Sequence, residues 1–211
     1  MLSVQSVPLP TEVSGPVVFT GDEASLTVGL LTGLRAVRPG QPLMVVDGAN
    51  AFDPFLVATL ARRAGLLPKV LLDEIRISRV FTCHQLEALI GGRLQRSLQQ
   101  FGAKAVLFAG LLDPLLDDEV PLKEALRIFA LIPPVLRQLT ADGVMALCVC
   151  PPLAVPPGRE GFLPALHELA AWIFNVAHAP NDAVQIICLK PRAATWTWEP
   201  QMGMLVPRRW W

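Results

Sequence analysis

The chain has 211 residues, with 18 Lys+Arg balanced by 18 Asp+Glu. That length suits one domain with a sizeable core, and a net charge of zero excludes a global basic field for holding nucleic acid or an anionic membrane. Hydrophobic residues make up 52% and charged residues 17%, against about 25% charged in a typical domain, which excludes disorder. The mean hydropathy of +0.45 raises the question of a membrane span, but no run of about 18 uncharged apolar residues occurs. The nearest candidate, 143–158, is broken by Pro151, Pro152, Pro156 and Pro157. The excess apolar surface is therefore expected in a core and against a partner.

In chain order, Pro16–Thr20 reads as a short β-branched strand ended by Gly21, and Ala24–Val37 as a helix stopped by Pro39-Gly40. Leu43–Asp47 is the next strand. Asp53-Pro54 then opens a helix to about Ala64, with a cap and a first-position proline. Ile75–Val80 alternates apolar and polar residues, so it reads as a strand with one less buried face. A helix is expected from Thr82 or Cys83 to about Leu98, a strand over Ala103–Ala109 and an acidic loop over Gly110–Val120. Pro121 opens a long helix to about Leu139, kinked at Pro133-Pro134. A buried strand over Gly143–Cys150, a Pro-rich loop and a helix over Phe162–Phe174 follow. Strands over Ala183–Leu189 and around Thr195–Trp198 complete the series.

Continuous apolar strands separated by helices predict an α/β fold with a mostly parallel sheet covered on both faces. The whole of 1–211 is expected to be one domain, with an N-terminal arm (1–14) and a C-terminal strand and Trp-rich tail (190–211). The start carries no basic region followed by an apolar one, so no secretory signal is read. Cys148 and Cys150 are placed on opposite faces of a buried strand. With Cys83 and Cys188 they read as buried reduced thiols, which fits a cytoplasmic protein.

Two segments carry a family pattern. After the second strand comes VVDGANAFDP (Val45 to Pro54), and further on RISRVFTCHQLEALI (Arg76 to Ile90). In this order and spacing they resemble the ATPase core of the RecA/RadA recombinases, with Arg79, Phe81, His84 and Gln85 matching the second pattern. The resemblance covers about Val17 to Leu189. It implies a RecA-like doubly wound sheet, ATP as cofactor, and DNA bound through loops after the fourth and fifth strands.

Residue by residue, the matched equipment is depleted. The segment Gly21-Asp22-Glu23-Ala24-Ser25-Leu26-Thr27-Val28 stands where the family has its phosphate loop. The first glycine is kept as Gly21. The second becomes Leu26, the lysine becomes Thr27 and the Mg²⁺ hydroxyl becomes Val28; an offset of one keeps Thr27 as a hydroxyl but restores no lysine. Asp47 is kept, the catalytic carboxylate two residues later is Ala49 beside Asn50, and the adenine-side acid matches Asp53. The acid expected at Ala109 or Gly110 is missing, the nearest being Asp113. After Cys150 no polar switch residue follows, only Pro151-Pro152.

Phosphoryl transfer rests on that lysine, the Mg²⁺ ligands and the water-orienting acid. Their joint loss predicts a non-hydrolysing protein with a vestigial nucleotide site of Gly21, Ser25, Thr27, Asp47 and Asp53, no catalytic residues and no metal. Nucleotide binding without hydrolysis stays open, with Asp53 as its best contact. So do simpler roles: Asp47 as a strand-end cap and Asp53 as a helix N-cap.

The expected role is a binding or regulatory partner in DNA recombination or repair, its apolar surface buried on a protein partner or a second copy. Two alternatives are a divergent ATPase completed in trans by Arg35, Arg38 or Arg79 of a neighbour, and a nucleotide-independent DNA-binding module. The loop after the fourth strand is acidic and the loop after the fifth has Arg159 as its only base, which argues against family-style DNA binding. Arg208, Arg209, Trp210 and Trp211 end the chain as a site for a protein pocket, for stacked bases or for self-packing.

Overall fold

A computed structural model describes residues 14–63, 65–180 and 183–198. The strands are β1 (Val17–Gly21), β2 (Leu43–Asp47), β3 (Ile75–Arg79), β4 (Ala105–Ala109), β5 (Met145–Val149), β6 (Trp172–His178), β7 (Val184–Lys190) and β8 (Ala194–Trp198). The helices are α1 (Ala24–Ala36), α2 (Pro54–Arg63), α3 (Pro68–Leu72), α4 (Cys83–Ala88), α5 (Leu94–Phe101), α6 (Leu122–Phe129), α7 (Ile132–Ala141) and α8 (Phe162–Leu169). All eight strands form one mixed sheet in the order β3-β2-β4-β5-β1-β6-β7-β8. Every pair from β3 to β6 is parallel, while β6–β7 and β7–β8 are antiparallel. The chain is α/β with a mostly parallel sheet, as expected.

Strand residues alternate between two apolar clusters, because successive side chains leave a strand on opposite faces. Val17, Phe19, Leu43 and Val45 join residues of α1, α2 and α3 in one cluster. Val18, Met44, Val46 and Phe108 join residues of α4 to α8 in the other. The two are held in register by the parallel ladders, so each helix group meets a continuous apolar face. No helix among the described residues is long and apolar enough to cross a membrane.

Four expectations need correction. The helix expected over Phe162–Phe174 ends at Leu169, and Trp172–His178 is strand β6. Ala170 turns to an extended conformation (ψ 137°), and the Ala171 N–H donates to the Pro16 carbonyl. Pairing with β1 thus captures an apolar, aromatic segment that helical reading alone would continue. The long helix is not kinked at Pro133-Pro134; it is two helices, and both prolines sit in the first turn of α7, where a missing N–H costs nothing. The helix from Cys83 is opened at Gly91-Gly92, Gly92 having φ 127°. Cys148 and Cys150 share one cluster rather than facing apart, since residues two apart lie on the same side of a strand. All four cysteines are buried and free, and burial pushes the Cys148 thiol up to about 12.

Candidate functional site

In an open α/β sheet, ligands gather at the carboxyl ends of the parallel strands. Here that edge is formed by β2, β4, β5 and β1. Of the residues expected to form a nucleotide site, Gly21 and Asp47 lie along it, with two strands between them.

β1 passes into α1 through Asp22 and Glu23 alone. Gly21 has φ +107°, and a Cβ there would stand 1.9 Å from the Val176 carbonyl oxygen on β6. The first glycine is therefore fixed by the close approach of β1 and β6. The Asp22 carboxylate turns back onto the start of α1. Its Oδ1 accepts the Ala24 N–H at 2.9 Å, and its Oδ2 accepts the His178 main-chain N–H and lies 2.9 Å from His178 Nδ1. The next two amides, Ser25 and Leu26, donate to the Asp22 and Glu23 carbonyls. The helix end that would attract a phosphate is thus occupied by the chain's own carboxylate and carbonyls. Burial pushes the Asp22 carboxyl up, but the hydrogen bonds from His178 and Ala24 outweigh it and hold it below its ordinary value.

Ser25 is fully buried, its hydroxyl without a partner. Thr27 lies within the first turns of α1, half-buried. Neither has a lysine nearby in sequence to act with.

Asp47 ends β2 and has no exposed surface. Its oxygens accept the Ala51 N–H at 2.9 Å and the Phe52 N–H at 3.2 Å, and Arg79 Nε lies 3.7 Å away. It closes the β2–α2 connection from beneath, a turn in which Asn50 takes φ 51°, a conformation that Asn tolerates better than most residues. Two strands separate β2 from β1, which puts Asp47 and Gly21 roughly 14 Å apart along the sheet edge. Asp53 is exposed and caps α2, accepting the Phe55 N–H at 2.7 Å. Asp47 and Asp53 thus take the simpler capping roles that their positions also allowed. Arg208, Arg209, Trp210 and Trp211 lie outside the described residues.

Two features were not legible in the sequence. Asp113 follows the end of β4 by four residues, yet Gly110 (φ +72°) and a 3₁₀ turn over Asp113–Leu115 fold its carboxyl back over the strand end. A Cβ on Gly110 would stand 2.7 Å from the Asp113 carboxyl carbon. Burial pushes this carboxyl up to about 6; the charge of Asp47 adds to the effect, while its own backbone N–H opposes it. Its Oδ1 is buried without a partner.

The sign of that shift fixes a pH dependence. A folded value above the ordinary 3.8 means that the folded state takes up a proton before the unfolded state as pH falls. The ionised carboxylate therefore weakens the fold above about pH 6. Asp113→Asn is expected to stabilise the chain by about 2 kcal/mol near pH 8, an advantage that shrinks through about pH 6 and vanishes near pH 4. Urea unfolding of both proteins across that range checks it.

The second feature is Arg159, the lone base of the loop after β5. It is 4% exposed. Nη1 donates to the Asp117 carbonyl at 2.5 Å and Nη2 to the Val120 carbonyl. The guanidinium thereby ties the loop after β5 to the loop after β4.

Elsewhere, His84, Glu87 and Glu124 bring ligand atoms within 4.8 Å of one another. Arg127 already binds both carboxylates, at 2.6 Å to Glu87 and 2.7 Å to Glu124. The cluster is a charged clasp between α4 and α6. Gln85 and Thr82 also have a local use. Thr82 Oγ1 accepts the Gln85 N–H at 3.2 Å and Gln85 Oε1 accepts the Phe81 N–H at 2.7 Å, a reciprocal cap on α4.

Comparison with known proteins finds no protein-family model that matches the chain and no matching curated protein.

Proposed function

We propose that this chain is a degenerate RecA/RadA-like protein that does not hydrolyse ATP and acts by binding a protein partner or a second copy, in DNA recombination or repair. The observation that carries the reading is the Asp22 carboxylate at the start of α1, seated where a triphosphate would need free amides and a lysine. The sheet order supports the RecA-like part: β5 lies between β1 and β4, and helices contribute to apolar clusters of both strand faces. The partner part is supported by apolar side chains left in water beyond neighbouring strands. Phe55 is 81% exposed and Phe81 is 59% exposed, following β2 and β3, and β3 is an outer strand of the described sheet. The burial of Arg159 weighs against the DNA-binding alternative.

One observation favours the divergent ATPase instead: Asp113 regains in space the strand-end position that it misses in sequence. A steady-state turnover assay separates the two readings. The expected result is no Mg-ATP hydrolysis above background, with self-association or capture of a native partner lost in the Phe55→Asp, Phe81→Asp double variant at unchanged melting temperature. Hydrolysis abolished by Asp113→Asn or Asp53→Asn would overturn the reading.

A further inference from the structure

A cavity of about 240 Å³ opens at the carboxyl ends of β1, β4 and β5. It belongs to the sheet face of α4 to α8, since Leu112, Cys150 and Phe162 line it and join that cluster, whereas α1 packs in the other. It meets the vestigial nucleotide site at Gly21 alone; Ser25, Thr27, Asp47 and Asp53 do not line it. Leu116, Leu153, Val155 and Pro152 extend its apolar wall, and Leu153 and Val155 are exposed at 44% and 49%.

Two charged side chains of opposite sign line this cavity without meeting each other. Arg159 is nine-tenths buried and more, and its Nε has no acceptor. Asp113 Oδ1 is buried and has no donor. Neither makes an ion pair among the described residues. The remaining charged group on the lining, Glu160, is exposed. A buried donor and a buried acceptor left unpaired each cost stability, more so when charged.

A ligand that satisfies both must present an anion and a cation on one small frame, with an apolar remainder for the leucine, valine and proline wall. We propose that this cavity binds a free apolar α-amino acid, its carboxylate on Arg159 and its ammonium on Asp113. A simple carboxylate would leave Asp113 facing it unpaired, and a simple amine would leave Arg159 so. The volume of about 240 Å³ admits a side chain of leucine size.

The test uses the full chain with L-leucine, L-isoleucine and L-phenylalanine as probes, beside leucinamide, which lacks the carboxylate, and 4-methylpentanoate, which lacks the ammonium. At saturation the best amino acid is expected to raise the melting temperature by about 4 °C or more. Calorimetry should show each truncated analogue binding about tenfold more weakly or worse. Asp113→Asn keeps the side-chain shape and is expected to weaken amino-acid binding at least about tenfold without weakening 4-methylpentanoate. Arg159 also joins two loops, so the charge test rests on Asp113→Asn and on the analogues. The proposal is overturned if no apolar amino acid binds more tightly than about 1 mM. It is equally overturned if the analogues bind as well as the amino acid, or if Asp113→Asn leaves leucine affinity unchanged.

Discussion

Gly21→Ala is expected to lower the melting temperature by about 10 °C or more in the absence of any nucleotide. A methyl group at this position would stand 1.9 Å from the Val176 carbonyl oxygen and within 2.8 Å of two further backbone atoms of that residue. Backbone cannot rotate aside, so β1 must separate from β6. The φ of +107° adds strain for any residue with a Cβ. Steric overlap and backbone strain together come to about 3 to 5 kcal/mol, which for a chain of this size is a shift of that order. The reason for the glycine is then packing in the sheet. A variant that melts like the parent would mean that the strand contact does not constrain the position.

Arg159→Ala is expected to destabilise the chain by about 3 kcal/mol in urea unfolding. The substitution strips the Asp117 and Val120 carbonyls of their donors and removes a side chain that is 96% buried, as its 4% exposure implies. The loss should not depend on added DNA, and affinity for single-stranded DNA should not change with it. A stable variant that instead loses DNA binding would restore the loop after β5 as a nucleic-acid contact.

The strands that carry the centre of the sheet were legible because their signals are local. LMVVD and AVLFA are continuous apolar runs, as a strand covered on both faces requires. IRISR alternates in sequence, but burial on the outer strand β3 does not follow it: Ile75 is buried, Ile77 is 43% exposed and Ser78 is half-buried. β6 was not legible because Ala170 and Ala171 carry no stop signal; the turn there is set by pairing with β1, a contact made across 154 residues of sequence between Thr20 and Phe174.

The site was legible in the same uneven way. The roles of Asp53 as a helix cap and Asp47 as a strand-end acceptor follow from their neighbours in sequence. The place of Asp113 does not, because it depends on a left-handed Gly110 that returns the carboxyl to the strand end. Nor does that of Arg159, whose carbonyl partners lie 39 and 42 residues away. Asp22 was visible as an acid opposed to phosphate. That it fills the helix end itself, steadied by His178 on β6, belongs to the fold alone.

The chain's own Asp22 carboxylate occupies the start of α1, where a phosphate would need free amides. Calorimetric titration of the full chain with Mg²⁺ and a non-hydrolysable ATP analogue tests it most directly. The expected result is no saturable heat, with any interaction weaker than about 1 mM. Saturable binding in the micromolar range, strengthened rather than created by Asp22→Ala, would contradict it.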